Sequence, residues 1–123
     1  MAPLQRLTRR TQFLKVAAGR RKSVSPGLIL QALPQAGGGL PNDGVPQDGV
    51  RVGFTASRKV GNAVARNRAR RRLRAAAAQV LPVHAAVGHD YVVIARLETL
   101  ERLFGDLLGD LAQGLKRLGV YRA

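Results

Sequence analysis

Six arginines, Arg66, Arg68, Arg70, Arg71, Arg72 and Arg74, crowd into nine residues with no acid among them. Any fold of this chain must present that charge without neutralising it locally. On a helix over residues 62–80, at about 100° per residue, Ala65, Ala69, Leu73, Ala76 and Val80 fall within about 80° of arc. That apolar stripe suits docking on a sheet, and its alanines permit close approach. Arg66, Asn67, Arg68, Arg70, Arg71, Arg72 and Arg74 fan across the rest, with Val64 the only large apolar residue beside them. A merely solvated helix interleaves Glu at i±3 or i±4; here the neighbours repel one another. Asn62 can cap this helix after the break at Gly61, and Pro82 is expected to stop it.

The charge is as uneven along the chain as on the helix. The net charge is +14 in 123 residues, yet residues 90–123 hold five acids and five bases. Residues 51–89 hold nine bases and no acid. The charge therefore belongs to particular surfaces, and a polyanion would relieve its self-repulsion. Arginine suits phosphate, because its planar fork donates two parallel bonds and its face stacks on bases. Arg58 and Lys59, just before the helix, add to the surface, and the backbone amides of Gly61 to Ala63 are further anion donors. Thr55 and Ser57 share a strand face and can bond phosphate or 2′-hydroxyl groups. If six charges meet phosphates, affinity falls with salt at about −0.7 to −0.9 per contact in log–log terms.

The remainder reads as one domain over residues 1–123. Residues 1–10 are expected to be a basic arm, and 34–50, with three prolines and a glycine run, a flexible loop. Thr11 is a candidate cap for a helix from Gln12 to about Ala18, with Phe13, Val16 and Ala17 on one face. Leu28 to Leu33 and Tyr91 to Ala95 read as apolar strands, and Arg51 to Ser57 as a half-buried, alternating one. Thr99 can cap a last helix with the stripe Leu100, Leu103, Phe104, Leu107, Leu108, Leu111, Leu115 and Leu118, and Gly119 is expected to end it. The order is α-β-β-α-β-α, an α/β (α+β) class with helices packed on one sheet. No cysteine is present, which excludes disulfides and thiolate metal sites. His84 and His89 stand on a loop-like stretch with too few companions for a metal site. No apolar run is long enough for a membrane span and no signal-peptide core is visible, so cytoplasm is the expected compartment. No small-molecule substrate is expected.

At residues 51–74, RVGFTASRKVGNAVARNRARRRLR, the sequence resembles the protein subunit of bacterial ribonuclease P. The match runs through a strand, Ser57-Arg58-Lys59-Val60-Gly61-Asn62-Ala63-Val64, and the Arg66-Asn67-Arg68 core. The opening LQRLTRRTQFLKV resembles the family's basic arm and first helix, HDYVVIAR its last strand, and the Leu-rich tail its closing helix. The resemblance implies a sandwich like ribosomal protein S5 domain 2, with a left-handed βαβ crossover through the arginine helix. It implies that a separate catalytic RNA uses Mg²⁺ to cleave precursor tRNA at the 5′ end, so the chain is a non-catalytic endoribonuclease subunit with no catalytic residue and no metal site. It assigns Arg58, Lys59, Asn62, Arg66, Asn67, Arg68, Arg70, Arg71 and Arg74 to the catalytic RNA. It places the 5′ leader of precursor tRNA in a cleft between the first helix and the sheet, where Phe13 is a stacking aromatic.

The chain departs from the family in that cleft, with Ala17 one turn after Phe13, and Leu28 and Gln31 in the first strand, where aromatics are common. A stacked aromatic is worth about 1–3 kcal/mol per base. A weaker leader grip is therefore expected, borne by Phe13, Lys15, Arg51 and Phe54, with Thr55 and Ser57. Ordinary core positions for Phe13 and Phe54 stay open, since apolar neighbours and strand alternation suit both. Rival functions also stay open: a ribosomal or RNA-chaperone protein, a DNA-binding module, and a protein-only nuclease. The helix lacks the variety used to read base edges, which weakens the second. No pair of acids is spaced to clamp Mg²⁺, which weakens the third.

Overall fold

Strand alternation decides how this chain layers itself. The computed structural model describes residues 4–34 and 49–123. In order they form β1 (Leu4–Arg6), α1 (Arg10–Ala18), β2 (Lys22–Val24), β3 (Leu28–Pro34), β4 (Val50–Thr55), α2 (Ala63–His84), β5 (His89–Ala95), a 3₁₀ turn (Leu97–Leu100) and α3 (Phe104–Arg117). The strands make one sheet in the order β1-β4-β5-β3-β2. β1, β4 and β5 run parallel, while β3 and β2 are antiparallel additions. The α2 crossover joins β4 to its parallel neighbour β5, as a parallel pair requires.

One sheet face carries Leu28, Leu30, Ala32, Val50, Val52, Tyr91, Val93 and Ala95 into the main core with α2 and α3. The other carries Val92, with Leu33 and Ile94, against Leu7, Phe13 and Val16 of the α1 region. Both faces are covered around β4 and β5, so β4 is buried through its first four residues rather than half-exposed. The mixed α/β class expected from the sequence holds, with five strands and three α-helices among the described residues.

Several local expectations change. Residues 4–6 are not a free arm: they pair with Val50 to Val52, and the Leu7 amide donates to the Val52 carbonyl at 2.9 Å. Most of the expected loop, residues 35–48, lies outside the described residues; Pro34 and Val50, at its margins, are strand residues. Thr11 lies inside α1, which starts at Arg10; the Gln12 side chain instead accepts from the Thr8 and Arg9 amides, both at 2.9 Å. Pro82 sits inside α2, not beyond it. It forfeits one helical bond, but Leu81 and Pro82 are buried and the following carbonyls find partners. Arg122 donates to the Pro82 and Ala85 carbonyls at 3.0 and 3.1 Å, and its amide donates to His84 O at 2.6 Å.

His84 thus closes a helix, and His89 opens a strand, where a loop stretch was expected. Thr99 does not cap α3. It is buried in the 3₁₀ turn, accepting from the Arg96 amide and donating to the Gly27 carbonyl. The chain restarts at Leu103, 73% exposed, so the leucine stripe keeps its register only from Phe104 onward. Gly119 ends α3 as expected, at φ +72 just beyond the C-cap Leu118. The Val120 amide reaches back to Leu115 O at 2.9 Å and that of Gly119 to Lys116 O at 3.1 Å. This is the glycine-terminated helix end that only a residue tolerant of positive φ can make cheaply.

Candidate nucleic-acid interface

The surface begins at the turn between β4 and α2. Ser57 organises it: its hydroxyl accepts from the Lys59 amide at 3.3 Å, and its carbonyl from the Val60 amide at 3.0 Å. Buried Val60 anchors the turn in the core while Arg58 and Lys59 project into solvent. Gly61 turns the chain at φ +145, and a Cβ there would stand 2.9 Å from that of Ala65. Its amide donates to the Arg58 carbonyl at 3.1 Å, which removes it from the expected anion donors. Asn62 caps α2 by accepting from the Ala65 amide at 2.9 Å, leaving its own amide group to face solvent.

From this anchor α2 presents the expected two sides. Ala69, Leu73, Ala76 and Val80 are buried, and Ala77 and Leu81 widen the stripe because α2 also packs on α3. Ala65 is only half-buried. Asn67, Arg68, Arg71 and Arg74 are exposed, and Arg66 and Arg70 half-buried. Asn67 accepts from Arg70, and Val64, Asn67, Arg70, Arg71 and Arg74 line a shallow depression. Among the described residues, the ion pairs are Arg51–Asp90, Arg96–Glu98 and Arg102–Asp110. None involves Arg58, Lys59 or an arginine of α2. Arg72 differs from its neighbours: half-buried, it donates to the Arg102 carbonyl and ties α2 to the turn before α3. Arg102 in turn grips Asp110 with two nitrogens at 3.0 and 3.1 Å, which raises the arginine's already high pKa.

The residues expected at the leader do not form one group. Phe13 lies half-buried on the α1 face, its ring pressed on Gly53, where any Cβ would overlap it. Thr55 shares the Gly53 face by alternation, and Ser57 and Lys15 are exposed. Phe54 points the other way and packs against the main core. Arg51 has the Gly53 parity, but its guanidinium is held by Asp90 through two bonds of 2.6 Å, with side chains only 9% and 8% exposed. Ala17 is exposed and Gln31 half-buried. Sequence reasoning missed a groove at the ends of β4 and β5, lined by Ile29, Ser57, Lys59, Ile94, Arg96 and Glu98 among others. The signal was present: alternation from buried Tyr91 and Val93 puts Ile94 on the opposite face.

No helix among the described residues is long and apolar enough to cross a membrane. Their His, Asp and Glu residues also form no cluster of three that could hold a metal ion.

The family model described as Ribonuclease P matches residues 1–119. A ribonuclease P protein component from Paramagnetospirillum magneticum is 60% identical over 118 residues, covering 96% of this chain and 85% of that protein. One from Gluconacetobacter diazotrophicus is 47% identical over 115 residues, covering 94% and 91%. The Staphylococcus aureus RNase P protein structure shares the fold at TM-score 0.71 and 22% identity, covering 95% of this chain and 97% of that one. The Thermotoga maritima RNase P protein aligns at TM-score 0.69 and 25% identity, covering 89% and 93%. With the family model spanning almost the whole sequence and close relatives matched nearly end to end, the chain belongs to the ribonuclease P protein component family.

Proposed function

We propose that the chain docks on a catalytic RNA through the α2 surface and holds the 5′ leader of precursor tRNA beside α1, promoting removal of that leader in the cytoplasm. The observation that carries this reading is a helix whose basic side chains meet no carboxylate among the described residues. Arg58, Lys59, Asn62, Arg66, Asn67, Arg68, Arg70, Arg71 and Arg74 are its RNA contacts. Phe13, Thr55, Ser57 and Lys15 serve the leader. Arg51 shares that face but is held by Asp90, and Phe54 supports it from the core side.

Mg²⁺ belongs to the RNA in this reading. Among the described residues, Asp90 and Asp110 are each held by an arginine fork, Glu98 lies 3.7 Å from Arg96, and no three His, Asp or Glu side chains gather to hold a metal ion. The protein contributes binding and orientation, and no residue of it enters the bond-breaking step.

The test is reconstitution. Catalytic RNA, precursor tRNA and Mg²⁺ at low Mg²⁺ and moderate salt should give 5′ maturation with the chain present and little without it. Arg66→Ala with Arg68→Ala should raise the protein concentration needed by tenfold or more, taking about 0.7–0.9 decade per lost phosphate contact at 0.1 M salt. An unchanged requirement would refute the docking role.

A further inference from the structure

A second unneutralised cationic surface lies beyond the far end of α2. Arg20, Arg21 and Lys22 lead into the edge strand β2, Lys116 and Arg117 end α3, and all five are exposed. Arg21 donates to the Leu118 carbonyl, and Arg117 to the Val24 carbonyl at 3.1 Å, stitching β2 to the end of α3. Arg122 joins from the tail with its bonds to the Pro82 and Ala85 carbonyls. Lys116 Nζ sits 4.8 Å above the Tyr121 ring, which stacks on His84 at 4.8 Å and 9°. The Arg21 and Arg117 bonds place the β2 edge beside the end of α3. None of these six bases pairs with a carboxylate among the described residues.

We propose that this surface is a second phosphate-binding site, engaging a further backbone segment of the same RNA that docks on the arginine half of α2. It rests on the docking reading in taking that RNA as its partner. The two surfaces are joined by α2 itself. Arg74 and His84 are about 15 Å apart along the helix axis, at about 1.5 Å per residue. The exposed residues between them, Ala75, Ala78, Gln79 and Val83, include no acid. A folded RNA can follow that neutral strip from one cationic surface to the other.

Local structure explains only part of the charge. Cations favour helix C-termini, and lysine protects an edge strand from pairing with another chain. Those needs account for Arg21, Arg117 and Arg122, whose bonds go to carbonyls. The side chains of Arg20, Lys22 and Lys116 make no hydrogen bond or ion pair with the described residues. These three are the natural phosphate contacts.

The experiment compares the full chain with the triple variant Arg20→Gln, Lys22→Gln, Lys116→Gln. Binding to catalytic RNA, and separately to precursor tRNA alone, is measured across a salt series, with thermal melting to confirm the fold. The salt slope for catalytic RNA should become shallower by about 2 to 3, at 0.7–0.9 per contact. Lys22→Arg with Lys116→Arg should keep the wild-type slope. An unchanged slope in a folded triple variant would overturn the proposal, and so would a change confined to precursor tRNA. If the triple variant lowers the slope but Arg66→Ala with Arg68→Ala does not, the α2 docking reading fails while this surface stands as an RNA site.

Discussion

Gly53 and Phe13 show how one missing side chain shapes the leader face. The Phe13 ring occupies the space that a Cβ at residue 53 would fill. Gly53→Ala should therefore push the ring off the sheet, costing about 1–3 kcal/mol of stability by overpacking. Phe13→Ala should weaken precursor tRNA binding to the assembled complex more than mature tRNA binding; equal loss on both would make Phe13 a packing residue only. Arg51 shows what sequence conceals at this scale. Alternation put it on the right face, but Asp90 lies 39 residues away, and its β5 register with Arg51 is a product of the sheet. Replacing Asp90 by Ala would take the carboxylate away from a buried guanidinium, so it should cost about 3–5 kcal/mol in denaturant melts. A loss under 1 kcal/mol would show that the pair contributes little.

Among the elements, α2 was the most legible. Its arginine face, alanine stripe and Asn62 cap follow from 3.6-residue periodicity and local cap chemistry, and all three are present. Asn62→Ala should cost about 1 kcal/mol through the lost cap. The same variant should loosen the helix start, seen as faster amide exchange at Ala65, with exchange around Leu73 unchanged. The C-terminal end of α2 was illegible because its partners come from elsewhere: Arg122, 40 residues after Pro82, satisfies carbonyls that the helix end leaves open. The start of α3 failed for a related reason. Thr99 has the chemistry of a cap, but the Gly27 carbonyl, 72 residues earlier, claims its hydroxyl. β1 and β2, three residues each, are too short to show alternation and exist only as partners of β4 and β3.

Across the whole molecule, charge is sorted. Among the described residues no carboxylate pairs with the cations of α2 and the β4–α2 turn, most of which face solvent, while the ion pairs gather at the β4–β5 face and around the start of α3. Uneven charge along the sequence made this separation legible before the fold was known; the three-layer arrangement around a mixed sheet was legible only as a class. The central claim is that the α2 surface is a phosphate-binding surface for a folded RNA. The direct measurement is the affinity of the full chain for catalytic RNA as salt is varied, for the native sequence and for Arg66→Ala with Arg68→Ala. Six contacts predict a log–log slope of about −4 to −5.5, and the double variant a slope shallower by about 1.4 to 1.8. A double variant that is folded, binds as tightly as the native chain and shows the same slope would contradict the account.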